Sequence, residues 1–401
     1  MNVVQKYGGT SLENIDKIRD VAKHIASNRK DGDGIVVVVS AMGGTTDELI
    51  KLAKQAGEEV PKRELDALLA TGEQKTAALL AIALQNLGVP AVSMTGFQSG
   101  FITTDHHSKA RIKEINTERT EQFLKEGNVV VLTGFQGISE EGDITTLGRG
   151  GSDTTAVAIS AQLGWDCEIY TDVDAVFTTD PKINPNARKL DRITYEEMME
   201  LSSTGAAILE TRSVELAKKY NVKLFIGRSL ENDKRKGTYV MNDRIYIEEM
   251  PVTGISISDD CSIYSLRGME NDGVAIAKLF QLLADLHINV DMISKQTYGD
   301  NKCTISFSCT DEQARDLDCA IENHEILSEI AVEKQPNLSI LSLVGVGMVT
   351  ATGVASKVFS ILAKEGIMYY QITTSEISIS VTVNRDEKIK AVIALCEAFG
   401  L

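Results

Sequence analysis

Two nucleotide-binding signatures are missing from this 401-residue sequence. It has no GxxxxGK(S/T) segment, which excludes a P-loop, and no GxGxxG, which argues against a Rossmann dinucleotide site. No apolar run approaches the roughly 18 residues of a membrane span. Met1 to Gly9 reads as a strand running into a glycine turn, which is not the pattern expected of a secretory signal. The six cysteines form no CxxC pair and have no histidine at zinc spacing, so they read as reduced thiols in a cytoplasmic protein. Positive charge is in deficit: 41 Lys and Arg stand against 57 Asp and Glu, a net charge of −16. That balance argues against a nucleic-acid or membrane-surface partner. Any anionic ligand must therefore be met by a local cluster of donors.

At this length two or three domains are expected. Through residue 230 or so, β-rich runs alternate with amphipathic helical stretches. Val3–Lys6, Ile35–Val39, Ala91–Met94, Val129–Thr133, Ile169–Thr171 and Lys223–Ile226 read as strands. Leu12–Ser27, Thr46–Ala56, Leu65–Leu87, Thr154–Leu163 and Thr211–Tyr220 read as helices. The alternation predicts an α/β domain whose mainly parallel sheet is sandwiched by helices, with ligands at the carboxyl ends of the strands. The texture changes from Gly227 onward, through a charged stretch and a turn at Gly237-Thr238. The first domain is placed at residues 1–247.

The remainder repeats itself. Ser262–Gly268 returns as Ser339–Gly345, about 77 residues later, and each copy leads into an amphipathic helix and an alternating strand. That period is too long for a solenoid unit and describes two sister domains, 248–336 and 337–401. A strand near residues 252–258 is open to joining the second.

Four turns follow strands in the first domain. Lys6-Tyr7-Gly8-Gly9-Thr10-Ser11 offers backbone amides, a helix start and a mobile cation to an anion. Ser40-Ala41-Met42-Gly43-Gly44-Thr45-Thr46 carries two hydroxyls placed as helix N-caps. Thr146-Leu147-Gly148-Arg149-Gly150-Gly151-Ser152-Asp153 sets three glycines around one arginine, costly in chain entropy as structure alone, and the guanidinium suits a carboxylate or phosphate. Tyr170-Thr171-Asp172-Val173-Asp174, with Phe177 to Pro181 beyond it, suits a nucleoside, although an Asx-turn cluster explains it equally well. No histidine lies in these turns, and His106 and His107 read as solvated loop residues.

Together with Ala70-Thr71-Gly72-Glu73, these turns closely resemble the amino-acid kinase superfamily, specifically the aspartate kinases with C-terminal tandem ACT domains. The resemblance covers nearly the whole chain. It implies an amino-acid kinase fold followed by two ferredoxin-like ACT domains. It also implies ATP-dependent phosphorylation of the L-aspartate β-carboxylate to 4-phospho-L-aspartate, the first step of lysine, threonine and methionine biosynthesis. By the same resemblance Lys6, Arg149 and Asp153 would be catalytic, with Lys6 neutralising the phosphoryl aided by Gly8 and Gly9. Thr171, Asp172, Phe177, Asp180 and Lys182 would surround ATP, and Ser40, Thr46, Glu73, Arg149, Gly150, Gly151 and Ser152 would hold aspartate. Mg²⁺ would be held chiefly by ATP and water, so no protein ligand is assigned to it. The assignment has chemical sense of its own: Arg149 meets a carboxylate, Glu73 meets an ammonium, and the acceptor carboxylate is already ionised at pH 7 and needs no base.

In the repeats, the resemblance implies an effector site at Asn271, Asp272, Gly273, Val274, Asn289, Val290 and Asp291, paired with Gly353, Val354, Ser375 and Glu376. The expected effector is lysine, with threonine as a second candidate. The second repeat has Met368-Tyr369-Tyr370-Gln371 where the family usually writes Asn-Ile/Val-Glu-Leu. ACT domains imply self-association as a homodimer, or with a small regulatory subunit made from an internal start near Met250. The alternatives are another amino-acid kinase, such as a glutamate 5-kinase or an acetylglutamate kinase, and a non-catalytic amino-acid sensor. A homoserine dehydrogenase is excluded by the missing dinucleotide fingerprint. The chain departs from the family at Gly205-Ala206-Ala207, where many members carry a nucleotide-contacting lysine, and Glu210-Thr211 replaces a common His-Pro. ATP binding is therefore expected to be weakened but not lost. Substituting Ala207→Lys should tighten ATP, and an unchanged ATP affinity in a binding titration would refute that.

Overall fold

The computed structural model describes residues 2–206, 208–242, 250–299, 301–323 and 330–401, without the side chains of Glu322 and Asn323. Ala207 and the expected boundary at 247/248 lie outside the described residues. The chain forms two compact units. The first is Met1–Val176, Lys189–Ser202 and Ala207–Ile247; the second is Phe177–Arg188, Ser203–Ala206 and Glu248–Leu401.

The first unit runs β1 (Asn2–Tyr7), α1 (Ile15–Asn28), β2 (Gly34–Val39), α2 (Thr45–Ala56), α3 (Lys62–Asn86), β3 (Ala91–Met94), β4 (Phe101–Thr103), β5 (Ile112–Ile115), α4 (Glu118–Lys125) and β6 (Val129–Thr133). It continues with β7 (Gln136–Ser139), β8 (Ile144–Thr146), α5 (Gly151–Leu163), β9 (Asp166–Thr171), β10 (Arg192–Ile193), α6 (Tyr195–Ser203), α7 (Thr211–Tyr220), β11 (Leu224–Arg228) and β12 (Thr238–Val240). The main sheet has the order β10-β12-β11-β9-β1-β2-β6-β3. Its pairs from β11 through β3 are parallel, and β12 pairs antiparallel with β11. The run Ile35–Val39 is buried throughout, as a central strand covered on both faces must be. One face packs Val3, Tyr7, Val37 and Val131 against Ile18, Val21 and Ile25 of α1 and Leu80 and Leu84 of α3. Helix α5 covers β1, β2 and β9 on the other face. This is the α/β architecture, a mainly parallel sheet sandwiched by helices, that the alternation predicts.

A four-stranded sheet, β5-β4-β7-β8, is an addition that the sequence did not announce. Its strands have only three or four residues, too few to display a period of two. Helix α3 also differs from expectation. At 25 residues it is long and apolar enough, by length and composition alone, to cross a membrane. Half of its apolar stretch is buried, however, and the helix also buries the side chains of Asp66 and Glu73. A helix burying two acidic groups against its own sheets reads as a core helix.

In the second unit β13 (Gly254–Glu270), α8 (Gly273–Asp285), β14 (Ile293–Thr297), β15 (Lys302–Cys309) and α9 (Asp311–Asn323) come first. After them come β16 (Ala331–Val344), α10 (Val354–Lys364), β17 (Tyr369–Thr374), β18 (Ser378–Asn384) and α11 (Lys388–Phe399). The sheet order, β14-β15-β13-β16-β18-β17, is symmetric about the β13/β16 pair. Those two long strands serve both repeats. Gly254–Ser258 pairs with Ile340–Val344, and Ile263–Arg267 pairs with Ala331–Gln335. Accordingly Val252 and Ile255 pack in the core of Leu341, Val358 and Val381, while Val332 packs against that of Tyr264, Leu279 and Phe307. Where the repeats meet, Arg385 donates to Asp311 at 2.8 Å, Lys388 pairs with Asp259, and Ser339 donates to Asp259 at 2.8 Å.

Candidate functional site

The site forms at the carboxyl end of β1, where the strand order reverses: β2 lies on one side and β9 on the other. This is the crevice in which an open α/β sheet takes its ligands. Strand alternation sends Tyr7 into the α1/α3 core and Lys6 toward α5. Lys6 is only 9% exposed, and its Nζ lies 2.6 Å from Oδ1 of Asp153 in the first turn of α5. The contact is a close ion pair with both side chains largely buried. Gly8 donates its N–H to the Tyr170 carbonyl at 3.1 Å, tying β1 to β9. A side chain on Gly9 would come 2.9 Å from the Ala41 carbonyl, so the first two turns lie in contact. Below them Tyr7 stacks on Tyr170 at 5.1 Å, and Glu168 accepts hydrogen bonds from Gln5 (3.0 Å) and Tyr170 (2.9 Å) and pairs with Lys234. Burial pushes the Tyr7 and Tyr170 phenols up, which keeps them protonated.

The glycine–arginine turn supplies the start of α5. Gly150 is the N-cap in the left-handed region, φ 63°, and a Cβ there would lie 2.3 Å from Cβ of Glu210. Exposed Arg149 immediately precedes it, so it stands beside the helix end whose Asp153 holds Lys6. Ser152 is buried; its Oγ would be 2.6 Å from a Cβ on Gly134 at the end of β6. Gly151 is buried against Phe135 and Leu147. The amides at this helix start and its positive end favour an anion.

Glu73 projects from α3 beneath the second turn. It is 4% exposed, and its Oε1 accepts the Ala41 N–H at 2.9 Å. Desolvation outweighs that hydrogen bond and pushes the carboxyl up to about 7. Half-buried Ser40 donates its N–H to the Tyr7 carbonyl at 3.3 Å. The two threonines expected as N-caps do not cap. Gly44 is the N-cap of α2, at φ 79°, and Thr45 and Thr46 lie inside the first turn. Gly44 turns the chain by itself, Thr45 is buried with its methyl toward Gly72, and Thr46 is half-buried.

At the fourth turn, Thr171 Oγ1 donates to Asp172 Oδ1 at 3.0 Å. The Thr171 carbonyl accepts from Ser229 N (3.0 Å) and Ser229 Oγ (3.2 Å), and the Ser229 and Ser11 hydroxyls touch. Ser11 and Ser229 were not singled out in the sequence, although Ser229 follows the carboxyl end of β11 and could have been found by that rule. Phe177, Asp180 and Lys182 belong to the second unit. There Asp180 Oδ1 accepts from Lys182 N at 2.9 Å, an Asx turn of the kind held open for this segment. His107 corrects an expectation. His106 is solvated, but the His107 side chain is 18% exposed with Nδ1 3.0 Å from buried Asp66, because that carboxylate needs donors. Among the described residues no group of three or more His, Cys, Asp or Glu could hold a metal ion.

The candidate effector residues lie in the second unit. Half-buried Asn271 and exposed Asp272, the N-cap of α8, lead into exposed Gly273 and Val274. Asn271 N donates to the Asn301 carbonyl at 2.8 Å. Asn289 and Asp291 flank Val290 before β14, with their side chains 3.4 Å apart. Gly353 caps α10 at φ 85° and Val354 is buried behind it. Ser375 and Ser378 hydroxyls meet at 2.8 Å beside exposed Glu376.

The profile of the amino acid kinase family matches residues 1–228, and that of the ACT domain matches residues 341–399. The aspartokinase of Bacillus sp. strain MGA3 is 44% identical over 401 residues, covering 100% of this chain and 97% of its own. The fold is that of E. coli aspartokinase III in complex with aspartate and ADP (R-state), with a TM-score of 0.81 at 23% identity and 100% of both chains covered. The same enzyme in complex with lysine and aspartate (T-state) gives 0.77 at 24%, with 99% of both covered.

Gly150 is irreplaceable on two grounds, its left-handed backbone and Glu210 above it. Gly150→Ala should cost about 2–4 kcal/mol in chemical denaturation. Gly164→Ala, at φ 69° with nothing within 4 Å, should cost about 1 kcal/mol. Equal losses would show that the Glu210 contact is not tight.

Proposed function

Because the chain belongs to the amino acid kinase family, and within it to the aspartate kinases that phosphorylate aspartate under feedback control, we propose that Lys6, Glu73 and Arg149 carry the transfer of the ATP γ-phosphoryl to the aspartate β-carboxylate. The observation that supports this division is the Lys6–Asp153 ion pair at the start of α5, directly beside Arg149. When bound, ATP supplies the phosphoryl group, with Mg²⁺ spreading its charge. Lys6 is held beside Asp153 as an ion pair, and the N–H donors not directed at that carboxylate can turn to phosphate oxygens. With the Gly8 N–H held by the Tyr170 carbonyl, the Gly9 amide adds a donor, and Thr171 and Asp172 face the nucleoside. Arg149 takes an aspartate carboxylate in two parallel hydrogen bonds, and Glu73 accepts from the ammonium. Ser40, Thr46, Gly150, Gly151 and Ser152 complete the acceptor pocket. The β-carboxylate attacks as the anion it already is, so the protein's contribution is alignment and charge.

Inhibition by lysine, with threonine as a second effector, would act through Asn271–Val274 and Asn289–Asp291 together with Gly353, Val354, Ser375 and Glu376. In support, a relative of the same fold has been solved with lysine, and the loops are exposed. Self-association through the second unit, or with a small subunit beginning near Met250, fits two exposed edge strands, β14 and β17. A cytoplasmic address fits six free cysteines, five of them buried.

The test is ATP-dependent hydroxamate formation with aspartate against glutamate, each with and without lysine or threonine. Aspartate should be the acceptor, with activity falling as lysine is added. A protein that consumes no ATP with aspartate removes the catalytic reading, and indifference to both amino acids removes the regulatory one. Glu73 sets a pH signature. Its carboxyl is neutral below about 7 and ionised above, and only the anion pairs with the ammonium. Between pH 6 and pH 8 kcat/KM for aspartate should rise about tenfold, and Glu73→Gln should lower and flatten the profile.

A further inference from the structure

Asp66 is a fully buried carboxylate, 0% exposed, that the proposed chemistry does not use. A charge so placed survives only among donors. Its oxygens accept from Thr146 Oγ1 (2.6 Å) and N (3.0 Å), from Ser108 N (2.9 and 3.1 Å) and Oγ (3.4 Å), and lie 3.0 Å from His107 Nδ1. Thr146 leads straight into Leu147-Gly148-Arg149. Ser108 holds a left-handed backbone, φ 68°, which a serine rarely adopts without such support. Its carbonyl would sit 3.1 Å from a Cβ on Gly148. One carboxylate thus fixes both the strand that enters the arginine loop and the turn beneath it.

Asp66 also belongs to a stripe on α3. Arg63 pairs with Asp143 at 2.6 Å, the Ala70 carbonyl accepts from Gln136 at 2.9 Å, and Glu73 accepts from Ala41 N at 2.9 Å. Steps of three, four and three residues put positions 63, 66, 70 and 73 on one helix face. Asp66 and Glu73 are therefore about two turns apart, roughly 10 Å along a rigid axis. The ammonium acceptor and the anchor of the arginine loop cannot shift independently.

We propose that Asp66 is a positioning residue for acceptor specificity: through Thr146 and Ser108 it sets the Arg149 loop at a fixed span from Glu73, matching aspartate and rejecting the longer glutamate. This rests on the reading that Glu73 and the Arg149 loop hold the acceptor amino acid. An asparagine at this position would turn an NH₂ toward donors and release the loop while keeping the volume.

The test is steady-state kinetics on the full chain with aspartate and glutamate, alongside thermal unfolding. Asp66→Asn should raise the aspartate KM about tenfold, and lower the aspartate-over-glutamate kcat/KM ratio to match, with the ATP KM held within about twofold. Thr146→Val, which removes one donor, should move the same ratio in the same direction by about threefold. A folded Asp66→Asn with an unchanged ratio, or with aspartate and ATP KM raised alike, overturns the proposal. Should that variant fail to fold, Thr146→Val and the Thr146→Val/His107→Ala pair decide, and an unchanged ratio in both overturns it. A wild-type chain inert toward aspartate and ATP defeats the functional reading itself, and this proposal with it.

Discussion

Lys6 meets Asp153 across the point where the parallel sheet reverses its order, and the rest of the catalytic unit is arranged to make that contact possible. A lysine this buried is tolerable only beside a carboxylate. The carboxylate is delivered by the first turn of a helix that itself begins on a left-handed glycine. The pair sits beside Gly8, where a Cβ would come 3.7 Å from the Lys6 ammonium, so a cation, a glycine turn and a helix start converge on one small volume. In a chain of net charge −16, such convergence is the means by which an anionic ligand is retained against the global field.

The unit supports this contact at two levels. Below the site, Tyr7, Tyr170 and Glu168 lock the ends of β1 and β9 together through stacking and buried hydrogen bonds. Beside it, α3 serves two loops at once, with Asp66 under one and Glu73 under the other. A buried acidic group is costly in isolation, and each is matched to donors that belong to a functional turn. The second unit is tied differently. Its two repeats exchange strand halves across β13 and β16, so neither core is complete without residues from the far side of the repeat.

Much of the catalytic unit was legible in order of sequence, because long runs such as Ile35–Val39 and the amphipathic helices display their period openly. The glycine turns were legible for a related reason: left-handed or crowded backbone demands glycine, as at Gly150. Three features were not. The hydroxyls of Thr45 and Thr46 suit a cap, but Gly44 takes the role by backbone geometry. His107 reads as a loop residue until Asp66, 41 positions away, is seen to need a donor. The strands β4, β5, β7 and β8 are too short to carry a pattern.

The sequence by itself determined the alternation of strands and helices, the positions of the turns and the repeat, and through its motifs the family and the carboxylate acceptor. These are local properties, set by backbone preference and periodic burial within a few residues. Only the tertiary structure decided that Asp153 would face Lys6, that Asp66 would lie beneath the arginine loop, that residues 177–188 would join the second unit, and that the two repeats would share strands. Those outcomes depend on donors and acceptors that meet across tens or hundreds of residues, where no spacing in the chain records the distance between them.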